Sequence, residues 1–269
     1  MKRNKTSLKN IGLILFDIDG VIRSVENSYR LSLKKTVHKF CGWEPSYIDI
    51  DNAKNEGIWN NDWDLSLELI KRFFKKEKLN LEIPSREKIV KCFEEFYFGG
   101  DPNGDSKYWS GFITNEELLV DKKFFDLLES FGIIWGFVSG AESASAKFVL
   151  EKRIGLISPP LISMGDAPDK PNPEGFIKLS KKILGDKFGA SKIPIAYVGD
   201  TIADINTVIN ARKEIPNQKF ISIGISPPHL HLKSRSKERY SYEKNLRNAG
   251  ADLILNSIYD LKDISLDFF

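Results

Sequence analysis

The fold of this chain is decided by the stretch Leu15-Phe16-Asp17-Ile18-Asp19-Gly20-Val21-Ile22. The run from Ile11 to Phe16 is nearly all apolar, which is typical of a parallel strand buried on both faces of a sheet. Asp17 then stands at the carboxyl end of that strand, where open α/β sheets bind their ligands. Gly20 allows a sharp turn beside the two carboxylates. The pattern predicts either a catalytic carboxylate pair that shares a cation or a strand-end turn capped by Asp19.

Short apolar runs recur along the rest of the chain and alternate with amphipathic stretches. The runs cover 133–138, 160–164, 195–198, 220–225 and 251–255, and the amphipathic stretches cover 122–131, 141–153, 174–184 and 202–212. Strands that alternate with helices form βαβ units. The sequence therefore predicts an α/β fold with a doubly wound, mainly parallel, Rossmann-like sheet.

The interval 24–112 interrupts this alternation. It shows three apolar faces with helical spacing and no run typical of a buried strand. We interpret residues 24–112 as an α-helical domain inserted into a sheet domain formed by residues 1–23 and 113–269.

A second interruption, at 226–245, is polar and mixes basic residues with Glu238 and Glu243. Mixed charge runs are usually solvated, so this segment is predicted to be a long surface loop. Tyr240 and Tyr242 among the basic residues leave nucleic-acid stacking as a weaker alternative.

The composition limits the classes of protein to which the chain belongs. A formal net charge of +3 over 269 residues, without a basic cluster, argues against a dedicated nucleic-acid binder. Cys41 and Cys92 are too few for a disulfide framework and lack zinc-site spacing, which indicates a reducing, cytoplasmic setting. No apolar stretch is long enough for a signal peptide or a membrane span. The oligomeric state, monomer or homodimer, stays open.

Three further polar elements follow predicted strands. Ser139 and Gly140 precede a helix, so they can face an anion, although Ser139 taken alone is more typical of a helix cap. Lys170 lies in a proline-rich loop, either as a phosphate-binding ammonium or as an exposed lysine. Asp200 ends a strand and Asp204 follows one helical turn later, so both can face one point. Two aspartate-rich strand ends in one sheet favour a divalent cation that offsets their repulsion.

These motifs occur in a familiar order: Asp17-Ile18-Asp19-Gly20-Val21, then Ser139, then Lys170 with Pro171, then Gly199-Asp200 with Asp204. On these motifs the chain resembles the haloacid dehalogenase superfamily, in its phosphatase-like branch of subfamily IA type. The resemblance implies that the insert at 24–112 is a helical C1-type cap domain and that residues 1–23 and 113–269 form the Rossmann-like catalytic core. The resemblance spans most of the predicted sheet domain.

The resemblance implies a role for each matching residue. Asp17 would be the nucleophile that becomes an aspartyl-phosphate, and Asp19 would protonate the leaving oxygen and later activate water. Ser139, with Gly140 beside it, and Lys170 would bind the phosphoryl oxygens.

The resemblance also implies a Mg²⁺ site. Its ligands would be Asp17, the backbone carbonyl of Asp19, and Asp200, with Asp204 as a further ligand or a partner of the ligands. Relatives with this cap commonly carry an acidic residue where Ser24 stands here. Arg23 before it either binds a second anionic group of the substrate or belongs to the hinge.

The function that follows from the resemblance is a magnesium-dependent phosphatase acting on a small phosphorylated metabolite. A phosphomutase of the beta-phosphoglucomutase type would keep the same residues and differ in how its cap excludes water. A non-catalytic protein that binds a phosphorylated ligand is the third alternative, but this chain retains both the nucleophile and the metal carboxylates.

Overall fold

The computed structural model describes residues 12–54, 56, 59, 61–189 and 193–263. Ile11, with which the predicted first strand begins, lies outside the described residues, as do the first and last residues of the predicted core. The chain divides into two compact units, one formed by Met1–Ser24 with Leu118–Phe269 and the other by Val25–Glu117. The boundaries predicted for the insert, at 24 and 112, stay predictions.

The first unit contains the main sheet. The strands of the described chain are β1 (Gly12–Phe16), β2 (Arg23–Ser24), β3 (Glu117–Leu118), β4 (Ile133–Val138), β5 (Leu161–Ile162), β6 (Ile195–Gly199), β7 (Phe220–Ile225) and β8 (Leu253–Leu255). Six of them form one sheet in the order β5-β4-β1-β6-β7-β8, and all of its described pairings are parallel. β2 and β3 form a separate pair. The predicted parallel α/β sheet is therefore confirmed.

Helices cover both faces of the sheet. The second unit contains α1 (Tyr29–Cys41), α2 (Tyr47–Lys54), α3 (Asp62–Lys76) and α4 (Arg86–Tyr97), and the first contains α5 (Lys122–Ser130), α6 (Ser143–Lys147), α7 (Glu174–Leu184), α8 (Ile202–Glu214) and α9 (Ser236–Asn248). Side chains alternate along β1, so Phe16 packs with Phe125 of α5 and Leu15 packs in a separate core with Phe176 of α7. A strand buried on both sides explains why residues 12–16 are all apolar.

The second unit is helical. Helices α1, α3 and α4 pack against one another. Each carries one of the three apolar faces found in the sequence, represented by Val37, Ile70 and Phe93, which are all buried. None of the described helices in either unit has the length and apolar character needed to cross a membrane.

The polar segment 226–245 is not a long loop, so that expectation was wrong. Two short 3₁₀ turns lead into helix α9, which begins at Ser236. Arg239 donates to Glu243 at 2.6 Å along this helix, and Leu246 is buried against the first unit's core. Arg235, Arg239 and Arg247 pair with glutamates at helical spacing, which supports the helix.

Candidate active site

Asp17 begins the site directly after β1. Its backbone N–H donates to the carbonyl of Val198 in β6 at 2.9 Å, which holds the residue at the carboxyl end of two adjacent parallel strands. Its carboxylate is buried, and Oδ2 lies 3.1 Å from Nζ of Lys170. Within the described part of the chain, Oδ1 is buried without a hydrogen-bond partner. A buried carboxylate oxygen in that state is available to a cation or a reacting group.

The turn at Gly20 brings the first motif against the last. Gly20 has φ +76°, and a Cβ atom added there would lie 2.1 Å from Oδ2 of Asp200. Only glycine therefore allows the Asp200 carboxylate to approach this turn. Two aspartate-bearing strand ends, far apart in the sequence, meet at this point.

Lys170 is held among three side chains. Its Nζ lies 3.1 Å from Asp17 Oδ2 and 2.5 Å from Asp204 Oδ1, and it donates to the hydroxyl of Tyr197 at 3.3 Å. Burial by itself would lower the pKa of Lys170, but Asp17 and Asp204 together raise that pKa well above its usual range. The ammonium therefore stays charged next to Asp17.

Asp204 is fully buried at the start of α8, and both of its oxygens have protein partners. Oδ2 accepts from the backbone N–H of Thr201 at 2.9 Å and from its hydroxyl at 2.6 Å, which completes a capping box. Oδ1 contacts Lys170. Gly199 makes this possible, because a Cβ atom there would lie 2.2 Å from Cβ of Asp204.

The carboxylates of Asp17, Asp200 and Asp204 form a compact cluster, with one oxygen of each lying within 4.8 Å of the others. Burial raises the pKa of Asp17 to about 6; Lys170 opposes this rise, whereas Asp204 and Asp19 add to it. Burial, followed by Asp204 and Asp17, also raises the pKa of Asp200 well above its usual range. Concentrated negative charge of this kind fits a hard divalent cation with oxygen ligands, such as Mg²⁺. Oδ1 of Asp17, which has no hydrogen-bond partner in the described part of the chain, is available as one of the oxygen ligands.

Asp19 is not one of the three clustered carboxylates, although its charge acts on Asp17 and Asp200. Its Oδ1 accepts a hydrogen bond from Nε of Arg23 at 2.7 Å, and Arg23 itself is fully buried. The guanidinium also donates to the hydroxyl of Ser145 at 2.8 Å. The predicted contact between Arg23 and a substrate anion stays a prediction.

Ser139 lies at the carboxyl end of β4, beside the cluster. Its backbone N–H donates to the carbonyl of Ile162 at 2.9 Å, and its hydroxyl opposes the rise in the pKa of Asp17. Gly140 is exposed, with open space where a side chain would stand. The contacts of Ser139 and Gly140 with a phosphate stay predictions.

Two tyrosines complete the site, and sequence analysis did not assign either to it. Tyr197 donates to the carbonyl of Val138 at 2.6 Å and accepts from Lys170. Its only sequence signal is a hydroxyl inside the otherwise apolar run of β6. Tyr242, which lies in α9, donates from its hydroxyl to the backbone carbonyl of Asp200 at 2.8 Å, and no local sequence pattern indicates this contact.

Comparison with known proteins gives a family match. A family model described as haloacid dehalogenase-like hydrolase matches residues 11–212. A curated protein named imidazoleglycerol-phosphate dehydratase, from Phytophthora nicotianae, is 30% identical over 250 residues, which cover 90% of this chain and 49% of that protein. The chain thus spans about half the length of the curated relative it matches.

Solved structures show the same fold at low sequence identity. Phosphatase Tt82 from Thermococcus thioreducens is 21% identical, with a TM-score of 0.60 over 87% of this chain and 99% of its own. A phosphonoacetaldehyde hydrolase-like protein from Oleispira antarctica is 15% identical, with a TM-score of 0.63 over 99% and 95%. A Thermotoga maritima protein with the proposed identity of beta-phosphoglucomutase is 15% identical, with a TM-score of 0.58 over 96% and 100%.

Proposed function

Because the chain belongs to the haloacid dehalogenase-like hydrolase family, we propose that it is a magnesium-dependent phosphatase that hydrolyses a small phosphomonoester through an aspartyl-phosphate. One observation carries this proposal: Asp17 lies in the carboxylate cluster, its Oδ1 has no hydrogen-bond partner among the described residues, and its Oδ2 lies 3.1 Å from the Lys170 ammonium. A buried carboxylate placed beside a fixed cation is arranged to attack an anionic phosphoryl group.

The reaction proceeds in two displacements at phosphorus. A carboxylate oxygen of Asp17 forms a bond to phosphorus while the bond to the substrate oxygen breaks, and Asp19 gives that oxygen its proton. Asp19 then accepts a proton from a water molecule, whose oxygen attacks phosphorus and releases phosphate from Asp17. Lys170 and Ser139 bind the phosphoryl oxygens during both displacements.

Asp17, Asp200 and the backbone carbonyl of Asp19 would hold Mg²⁺, which supplies shielding between the phosphoryl charge and the attacking carboxylate. Asp204 is the third carboxylate of the cluster. Because both of its oxygens already bind Thr201 and Lys170, its contacts favour a role in fixing Lys170 over direct coordination.

The helical unit, predicted at 24–112, acts as the cap of the site in this proposal. The substrate is a small phosphorylated metabolite. The name of the Phytophthora relative contains a phosphomonoester that bears an imidazole group, so imidazole-containing phosphomonoesters belong in the substrate panel beside sugar phosphates and phospho-acids.

Hydrolysis of p-nitrophenyl phosphate and of this panel tests the proposal, with Mg²⁺ added or chelated by EDTA. We expect phosphate release that requires Mg²⁺ and disappears in Asp17→Asn, while Asp186→Asn, which removes an exposed carboxylate on the same unit, keeps full activity. Trapping of beryllofluoride, a phosphoryl mimic, should likewise be lost in Asp17→Asn.

Two other outcomes would favour the alternatives. Turnover that depends on a sugar bisphosphate primer would favour a phosphomutase. Absence of turnover with every metal and substrate would overturn the enzymatic proposal in favour of a phospho-ligand-binding protein.

A further inference from the structure

Arg23 is the largest fully buried side chain among the described residues, and it carries a charge. Its guanidinium joins two elements of the first unit: Nε donates to Asp19 Oδ1 at 2.7 Å, and Nη2 donates to Ser145 Oγ in α6 at 2.8 Å. Ser145 is itself fully buried. The turn that carries Asp19 is therefore tied to a helix that lies 122 positions from Arg23 in sequence.

The backbone closes the same turn. The N–H of Gly20 donates to the carbonyl of Arg23 at 2.8 Å, and the N–H of Arg23 donates to Ile18 at 3.1 Å. The Asp19 side chain stays 30% exposed although its partner is fully buried. No hydrogen bond reaches its other oxygen, Oδ2, from the described residues. One oxygen of the carboxylate is thus anchored by Arg23, and the other has no hydrogen-bond partner among the described residues.

Stability alone does not explain this arrangement. Burial of a guanidinium costs several kcal/mol before its partners offset the cost, and apolar replacements of buried ion pairs are often neutral or stabilising. A buried charge directed at the proposed acid/base residue therefore indicates a role in the reaction.

We propose that Arg23 is a positioning residue for Asp19: it holds Oδ1 so that Oδ2 faces the substrate oxygen that receives the proton. The inference rests on the proposed phosphatase function and assigns to Arg23 a role other than the predicted contact with a substrate anion. Arg23 stays outside the reacting atoms and acts through Asp19. Lysine cannot replace it fully, because one ammonium does not reproduce the two divergent donors of the guanidinium.

Leaving-group dependence distinguishes this role from a structural one. The p-nitrophenolate anion leaves without protonation, whereas the alkoxide of a sugar phosphate needs the proton from Asp19. The value of kcat/KM depends only on the steps up to the first irreversible one, which here is the formation of aspartyl-phosphate. The kcat/KM of the alkyl substrate divided by that of the aryl substrate therefore reports proton donation to the leaving group.

The experiment compares Arg23→Lys, Arg23→Met and Ser145→Ala with wild type on both substrates. Arg239→Lys is the matched control, because Arg239 also donates through Nε to a carboxylate four residues away, at 2.6 Å, but lies in α9. We expect the alkyl-to-aryl ratio to fall at least about tenfold in Arg23→Lys, further in Arg23→Met, and not at all in Arg239→Lys. In an Asp19→Ala background, Arg23→Lys should change the ratio less than about twofold, because the two residues act as one unit.

Several results would overturn the inference. One is a ratio in Arg23→Lys equal to that of wild type; another is the same loss in the Asp19→Ala background. A rise in KM for the alkyl substrate at unchanged kcat would assign Arg23 to substrate binding instead. If Arg23→Met fails to fold by circular dichroism, Arg23→Lys and Ser145→Ala decide the question. Absence of turnover in wild type would overturn the proposed function as well, whereas an active wild type with an insensitive ratio would overturn only this inference.

Discussion

Replacement of Asp17 by Asn should remove a pH-dependent loss of stability from the metal-free protein, although it also removes the proposed nucleophile. Burial raises the pKa of this carboxyl from 3.8 to about 6. Below pH 3.8 the carboxyl is protonated in both the folded and the unfolded protein. Between pH 3.8 and about 6 the folded protein keeps a proton that the unfolded chain releases, so the free energy of unfolding falls as pH rises.

The size of the effect follows from the same pKa values. A rise from 3.8 to about 6 in the folded state corresponds to about 3 kcal/mol of lost stability above pH 6. Asn carries no charge at any pH in this range. The variant also loses the attraction between Asp17 and Lys170, which adds a constant to the difference in unfolding free energy between variant and wild type. The quantity to measure is therefore the change of that difference with pH.

Urea unfolding in EDTA at several pH values from 4 to 7.5 measures this change. The free energy of unfolding of Asp17→Asn minus that of wild type should rise by up to about 3 kcal/mol from pH 4 to pH 7. Asp186→Asn, in which an exposed carboxylate is replaced, provides the control and should show no such trend. Added Mg²⁺ should stabilise wild type, by about 2.7 kcal/mol at a hundred times its Kd, and should leave Asp17→Asn nearly unchanged.

A stability difference that stays constant from pH 4 to 7.5, or that falls as pH rises, would refute the reasoning. Either result would mean that the folded protein loses no stability when the buried Asp17 carboxyl ionises. Equal stabilisation of both proteins by Mg²⁺ would place the cation site elsewhere.

Three further substitutions test the geometry around the cluster. Gly20→Ala should weaken Mg²⁺ binding at least about tenfold, because the added Cβ would displace Asp200, and calorimetric Mg²⁺ titration measures this loss. The variant should also lose about 1–2 kcal/mol of stability, because residue 20 has φ +76°, and urea unfolding measures that cost. Tyr197→Phe should destabilise the protein by about 1–3 kcal/mol and lower kcat, since Lys170 loses an acceptor; unchanged kcat in a folded variant would contradict this. Thr201→Ala should cost about 1 kcal/mol through loss of the α8 cap, which thermal unfolding would register, and an unaltered melting temperature would argue against the capping box.

The strand and helix order was predictable from the sequence because it depends on short-range patterns. The apolar run that ends at Phe16 and its recurrences are set by residues a few positions apart, and burial on both faces removes the polar alternation of an exposed strand. Parallel strands bring their carboxyl ends to one edge, so the sequence order also predicted that Asp17 and Asp200 would meet. The helix α9 was missed because its apolar side is narrow, with Leu246 as its fully buried residue.

The sequence by itself determined which side chains stand at the strand ends and hence the kind of chemistry available there. Only the tertiary structure decided which atoms are occupied: both oxygens of Asp204 are bound, and one oxygen of Asp17 has no partner among the described residues. It also decided that Arg23 faces Ser145 and that Tyr242 reaches Asp200. Local periodicity places a residue on its own element, whereas contacts across 122 or 42 positions depend on how separate elements pack, and no spacing in the chain encodes that directly.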